Sequence, residues 1–376
     1  MAQELSPCKK SRQKNGVTKN QLVFSVPLRE IRRVKPLPFL TLLASCGLAV
    51  LSAHAADSRQ DFLKLIDRPR VALDAKVEES PATNGLIMFH FSFATEAGQR
   101  VPGILIKSAD LKGRQPAVIA MHGTGGSKRD MLSQCRQLAA RGFVAVAIDG
   151  RYHGERATTK GAYDAAILHA WREPGEHPFF YDTVWDIMRL VDYLQTRDDV
   201  DPARIGLTGI SKGGIETYLT AAVDPRIAAS VPFIGVESFR WALDHNDWKG
   251  RVGTVQKAFN GIMKDSGATN SDAAMVRKFY DRGTPGSYGE FDGPAMVPLT
   301  APRPLFVINS DSDPQCPLPG VNECIEAARK AYHDANADDH LSVRIQEHTG
   351  HAVKPESERA MIEWFVKWLK PDELNK

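Results

Sequence analysis

From Gly85 onward the chain alternates short apolar runs with stretches of helical spacing. Gly85–Ala94 and Arg100–Ser108 flank the turn Glu96-Ala97-Gly98-Gln99 and predict two neighbouring strands. Pro116–His122 and Phe143–Asp149 are almost continuously apolar, the pattern of strands buried on both faces. Between them, Lys128–Arg141 has helical spacing and stops at Gly142. Asp182–Thr196 places Val184, Ile187, Met188, Val191 and Leu194 on one helical stripe. Then follow a strand over Arg204–Ile210, a helix over Ser211–Val223 and a strand over Ile227–Ile234. The C-terminal part continues with strand Pro304–Asn309, helix Leu318–His333, strand Leu341–Glu347 and helix Glu356–Leu369. Strands separated by helices imply βαβ units. The expected fold class is α/β, a mostly parallel central sheet with helices on both faces.

One stretch breaks this rhythm. Between about residues 236 and 300 no apolar strand is visible, and a structureless connection of that length is improbable in a compact domain. It reads as a helical cap inserted over the C-terminal edge of the sheet. The N-terminus differs again. A polar, basic lead-in precedes the uncharged run Leu37–Leu51, and Ala53-His54-Ala55 has the small-x-small form of a cleavage site. These features predict a signal peptide over residues 1–55, with a single folded domain at 56–376 and a secreted or periplasmic destination. A lipoprotein box at Leu43-Ala44-Ser45-Cys46 is the second reading, although the apolar run continues past Cys46. Fifteen apolar residues fall short of the roughly 20 that span a bilayer, so no stable membrane insertion is expected after cleavage.

The leader also changes the meaning of the charge. The whole chain is net +3, but residues 1–55 carry nine of its 48 Lys/Arg and two of its 45 Asp/Glu, which leaves the remainder at −4. Basicity therefore belongs to targeting, and no nucleic-acid partner is expected. A composition of 43% hydrophobic and 25% charged residues is that of a globular protein with a large core. Cys135, Cys316 and Cys324 remain after cleavage; an oxidising compartment permits a Cys316–Cys324 bridge, and their geometry decides whether it forms. No C-x-x-C or H-E-x-x-H spacing is present, so neither metal nor organic cofactor is expected.

Gly209-Ile210-Ser211-Lys212-Gly213 fits G-x-S-x-G, a weak signal alone. Here a strand runs into it and a helix leaves it, the strand–turn–helix elbow that exposes a nucleophilic serine. A helix N-cap is the alternative role for Ser211. Serine needs a base, because its hydroxyl is a poor nucleophile at neutral pH. His351, in the loop after the last predicted strand, is the first candidate, with His348 its competitor. The base needs an acid to fix its tautomer. Asp313 is preferred in Asn309-Ser310-Asp311-Ser312-Asp313-Pro314, with Asp311 as a turn-capping rival. A tetrahedral oxyanion needs two preorganised N–H donors. Lys212 supplies one through its amide, and Thr124, with Gly123 second, the other, from His122-Gly123-Thr124-Gly125-Gly126. Arg151 and Tyr152, after the Phe143–Asp149 strand, and Trp241, at the cap entrance, are candidate substrate-binding residues. A salt-bridged loop and helical packing are their bland alternatives.

Taken together, HGTGGSK, DGRYHGER, GISKGG, NSDSDP and HTGH resemble the α/β-hydrolase superfamily over nearly all of residues 85–370. Within it the chain is similar to the neighbourhood of dienelactone hydrolases, acetyl xylan esterases and prolyl-oligopeptidase domains. The resemblance implies hydrolysis of a small-molecule ester through an acyl-enzyme, without metal or cofactor. Three departures bear on the transfer. Dienelactone hydrolases use Cys where this chain has Ser211, and acetyl xylan esterases commonly carry Gln where it has Lys212. Oligopeptidases of this type carry a large propeller, for which about 30 residues between Ala56 and Gly85 leave no room. An esterase is therefore expected; an amidase or peptidase, and a non-catalytic protein keeping the fold, are the alternatives.

Overall fold

In the computed structural model, which describes residues 58–173 and 175–371, the described strands form one nine-stranded sheet. The segment read as a leader, with Cys46, lies outside the described residues. In chain order the strands are β1 Lys76–Thr83, β2 Leu86–Glu96, β3 Gln99–Ser108, β4 Gln115–Met121 and β5 Val144–Ile148, then β6 Val200–Ile210, β7 Ile227–Phe233, β8 Leu305–Ser310 and β9 Leu341–Gln346. Their order across the sheet is β1-β2-β3-β5-β4-β6-β7-β8-β9. β1, β2, β3 and β5 pair antiparallel; from β5 through β4 to β9 every pairing is parallel. All residues of β4 and β5 are buried, as their unbroken apolar sequences require of strands covered on both faces.

Beyond a helical stretch at residues 58–66, the helices are α1 Leu132–Ala139, α2 Ala162–Arg172, α3 Tyr181–Gln195 and α4 Lys212–Val223, then α5 Phe239–Asp244, α6 Lys249–Gly253, α7 Gln256–Asp265, α8 Ala273–Gly283 and α9 Gly293–Met296, and finally α10 Leu318–Asp334 and α11 Pro355–Leu369. One face of the sheet packs on α1 and α11 through Leu138, Phe143, Met361 and Phe365. On the other side, residues of α3 such as Ile187, Leu190 and Val191 pack against Ile119, Val146 and Leu207. The 236–300 segment is helical. α5 to α9 share a large aromatic cluster with α2, α4 and α10, including Phe179, Phe239, Phe259, Phe279 and Tyr280. Asp292 ties the two ends of this insertion together, accepting the Phe239 N–H at 2.8 Å and the Ser238 hydroxyl at 2.9 Å.

Three local features differ from the sequence expectations. The predicted Lys128–Arg141 helix opens as a 3₁₀ turn, Lys128–Met131, capped by Ser127 and Asp130, and α1 proper is only eight residues long. β1 and α2 had no predicted counterpart. Cys316 and Cys324 are separate buried thiols. Each points to its own carbonyl, Ile234 O and Gly320 O respectively, both at 3.3 Å, so the permitted bridge is not formed.

Candidate active site

The C-terminal ends of five parallel strands, β4 and β6 to β9, converge on one cleft of about 550 Å³, the position where ligands bind in open parallel sheets. β6 delivers Ser211 to it. Ser211 has φ 58° and ψ −114°, a backbone state that L-residues adopt only when the surroundings enforce it, at a cost of order 1–3 kcal/mol. The glycines explain how the chain closes so tightly around this turn. A Cβ on Gly209 would stand 2.3 Å from the Gly213 carbonyl oxygen. One on Gly213 would meet Met121 O of β4 at 2.5 Å, and one on Gly214 would meet Phe233 O of β7 at 2.5 Å. The glycines let α4 start within van der Waals reach of the sheet and leave the serine side chain at the cleft.

The structure brings Ser211, His351 and Asp313 together. His351 Nε2 lies 2.7 Å from Ser211 Oγ, and His351 Nδ1 lies 2.7 Å from Asp313 Oδ2. A carboxylate can only accept, so Nδ1 carries a proton and Nε2 is left to accept the serine hydroxyl. Asp313 Oδ1 accepts the Gln315 N–H at 2.8 Å. Burial pushes the Asp313 carboxyl up, but the hydrogen bond and charge of His351, the Gln315 amide and Arg251 outweigh it and hold it below the ordinary value. The two rivals have a different role. Asp311 accepts the backbone N–H of His348 at 2.7 Å and of Thr349 at 3.1 Å, and so fixes the loop that carries His351.

The glycine-rich loop after β4 lines the cleft through Gly123 and Thr124. Gly126 N–H bonds to Gly123 O at 3.1 Å, and Gly125 has φ 77°, so residues 123–126 make a tight turn whose second amide, that of Thr124, is not consumed by the turn. Gly123 approaches closely enough that a Cβ there would lie 3.5 Å from the Ser211 Cβ. The Lys212 amide is the first of α4, where a helix supplies no carbonyl partner.

Beneath this loop lies a buried polar layer. Gly150 N–H donates to His122 Nε2 at 3.0 Å, so the His122 proton resides on Nδ1, which donates to Gly123 O at 2.8 Å. Burial, then the Lys212 charge, hold His122 down to about 4. The Lys212 ammonium, fully buried, pairs with Glu216 one turn along α4. Burial pushes Glu216 up to about 7 against the pull of Lys212. His153 packs between His122 and Tyr163 at tilted angles, with ring centroids 5.0 and 4.3 Å away.

The three proposed substrate contacts are not among the cleft-lining residues. Arg151 is buried, bonded to Asp186 and Glu96 in the salt-bridged loop. Tyr152 donates its hydroxyl to Glu176 at 2.5 Å. Trp241 stacks on His245 with centroids 4.2 Å apart. The lining is completed instead by residues that motif reading did not single out, among them Thr254, Gln315, Val353 and Glu358. Thr254 closes α6 of the insertion, and Glu358 stands in the first turn of α11. Their only sequence signal is proximity to predicted elements, because which face of a helix looks into a cleft depends on the tertiary packing.

An insertion helix also touches the acid-bearing loop directly. A Cβ on Gly250 would fall 1.8 Å from Pro314 O, so α6 lies against that loop's backbone. Arg251, buried next to it, pairs with Glu237 at 2.7 Å and donates to Cys316 Sγ at 3.1 Å.

The model of the acetyl xylan esterase (AXE1) family matches residues 63–248, a stretch that holds the Gly123–Gly126 turn and Ser211 and ends before Asp313 and His351. A Bacillus subtilis (strain 168) protein named as a hydrolase, YtaP, is 24% identical over 284 residues, 72% of this chain and 84% of its own length. YitV of the same organism, named as an esterase, is 30% identical over 175 residues, 44% of this chain and 66% of its own. Among solved structures, methylesterase BT1017 superposes with a TM-score of 0.62 at 20% identity, covering 85% of this chain and 64% of that one. Acetyl xylan esterase 1 from Thermoanaerobacterium sp. JW/SL YS485 does so with a TM-score of 0.59 at 18% identity, covering 84% and 93%. At these identities the structural likeness speaks for the fold. The chain has the α/β-hydrolase fold. It is a hydrolase acting on ester bonds.

Proposed function

We propose that the protein is a secreted serine esterase that cleaves carboxylic esters through an acyl-enzyme. Ser211 is the nucleophile, His351 the base and Asp313 the acid that orients it. The observation that carries this reading is the chain of two 2.7 Å hydrogen bonds from Ser211 through His351 to Asp313, opening on a cleft. His351 Nε2 takes the serine proton as Oγ attacks the ester carbonyl. The Thr124 and Lys212 amides, with Gly123 N–H as the nearby second choice, receive the oxyanion. The imidazolium, held by Asp313, returns its proton to the leaving alcohol; water then repeats the sequence on the acyl-serine and releases the acid. The relatives named for acetyl xylan, methyl and glucuronoyl esters make carbohydrate esters the first class to assay. Export through the residue 1–55 leader suits such polymeric material.

The deciding experiment labels the enzyme with a fluorophosphonate and measures turnover of p-nitrophenyl acetate beside aminoacyl p-nitroanilides. Labelling and ester turnover are expected in the wild type and absent in Ser211→Ala, with a loss of at least about 10⁴-fold in kcat. Labelling that survives the substitution, or preference for the anilides, overturns the reading.

A further inference from the structure

Glu358 is the one carboxylate among the residues that line the cleft, and no lysine or arginine lines it with Glu358. Its side chain is half-buried, and no hydrogen bond or ion pair holds it among the described residues. Carboxylates taken out of water are ordinarily paired, because desolvation of an unpaired charge is unfavourable. Burial alone raises the Glu358 carboxyl above its ordinary value, with no cation close enough to offset it. A second acceptor stands in the same lining: the Gln315 side-chain oxygen is buried without a partner. The cleft thus offers two unsatisfied acceptors to whatever enters, one of them charged, beside the neutral hydroxyls of Thr124 and Thr254 and the apolar Ile210, Ile234 and Val353. The buried cations described above are already committed, Lys212 to Glu216 and Arg251 to Glu237.

We propose that Glu358 sets the charge preference of the cleft, so that esters bearing cationic or hydrogen-bond-donating groups are taken and anionic esters are discriminated against. The inference rests on the esterase reading of Ser211 and names the substrate class of that site. Glu358 is a specificity-determining residue here, since it meets the flanks of the substrate and not the reacting carbonyl. The unpaired carboxylate repels a substrate carboxylate in the cleft, and attracts ammonium or hydroxyl groups in the same position.

The test uses two matched series on the full-length protein. Acetate esters of choline, of 3,3-dimethylbutanol and of 3-hydroxypropionate vary the charge on the alcohol; methyl esters of betaine, of 3,3-dimethylbutyrate and of succinate (the monoester) vary it on the acyl side. The readout is the ratio of kcat/KM between the anionic and neutral members, in which any loss of folded enzyme cancels. In at least one series the wild type is expected to disfavour the anionic member by about tenfold or more. E358Q is expected to shrink that ratio at least about fivefold, and E358K to reverse it. Raising the salt concentration should narrow the wild-type ratio as well. A wild type indifferent to charge in both series, or a ratio unchanged in E358Q and E358K, overturns the proposal. If no member of either series is hydrolysed, the esterase reading itself fails, an outcome distinct from indifference to charge.

Discussion

Ser211 and the groups around it show how few residues fix the site and how differently each fails. Asp311 and Asp313 stand two positions apart, yet one holds backbone amides and the other holds His351 Nδ1. Asp313→Asn is therefore expected to lower kcat by about 10³- to 10⁴-fold with little change in Tm, because it allows the wrong imidazole tautomer. Asp311→Asn is expected to cost far less rate; parallel kinetics and melting curves separate the two. Gly213→Ala would place a methyl against β4 backbone at 2.5 Å, a contact that cannot relax by a rotamer change. It should cost at least about 1–3 kcal/mol in denaturant unfolding and remove activity by moving the elbow. Lys212 carries a further lesson, since the sequence pointed to its amide whereas the structure also buries its ammonium against Glu216. Lys212→Met leaves Glu216 uncompensated and is expected to lose roughly 3–5 kcal/mol, much of it regained in the Lys212→Met/Glu216→Met double variant. A double-mutant cycle by chemical denaturation measures that coupling.

Elements were legible in proportion to how local their signal is. β4, β5 and the second half of β6 are largely apolar runs bounded by turn residues, and the elbow is a motif at a fixed offset from β6, so both could be read from spacing. β1 could not: KVEESPAT mixes charges with a proline on an edge strand, and it becomes a strand only because β2 offers a partner. α2 was missed for another reason: it packs into the aromatic cluster of the insertion, an environment that exists only once residues 239–300 are folded. The same long-range logic hid Thr254 and Glu358 from motif reading and made Arg151 attractive, although its charge is spent on Asp186 and Glu96. The contact between α6 and the acid loop gives this insertion a task beyond covering the sheet. Gly250→Ala should push α6 off Pro314 and disturb the segment that presents Asp313. The expected result is a fall in kcat of about tenfold or more with KM for a small acetate ester changed far less, measured by steady-state kinetics.

At the scale of the whole molecule, the buried histidines tie stability to pH. His122 is held down to about 4 when folded, chiefly by burial and then by Lys212, and His153 is shifted further in the same direction by the same two causes. Unfolding releases both to their ordinary value near 6.5, where the unfolded chain binds protons that the folded one refuses. Their contribution is therefore complete above about pH 6.5 and declines as pH falls below it, down to about 4 for His122 and to about 2 for His153. Glu216 and Glu237, each pushed up to about 7 by burial, take up protons in the folded state over the same window and oppose the histidines, so the histidine contribution is read as a difference: the thermal midpoint of His153→Asn should lose less than that of the wild type as pH falls, and equal slopes in both proteins would refute the assignment. The hydrogen bond between Ser211 and His351 joins positions 140 residues apart in the chain, with the whole insertion and β8 folded between them. Closing such a distant pair waits on everything in between. Recovered esterase activity is consequently a clock for folding: after denaturation it should return with the slowest phase, later than secondary structure, and a nascent chain should be harmless to esters until its last two elements have docked.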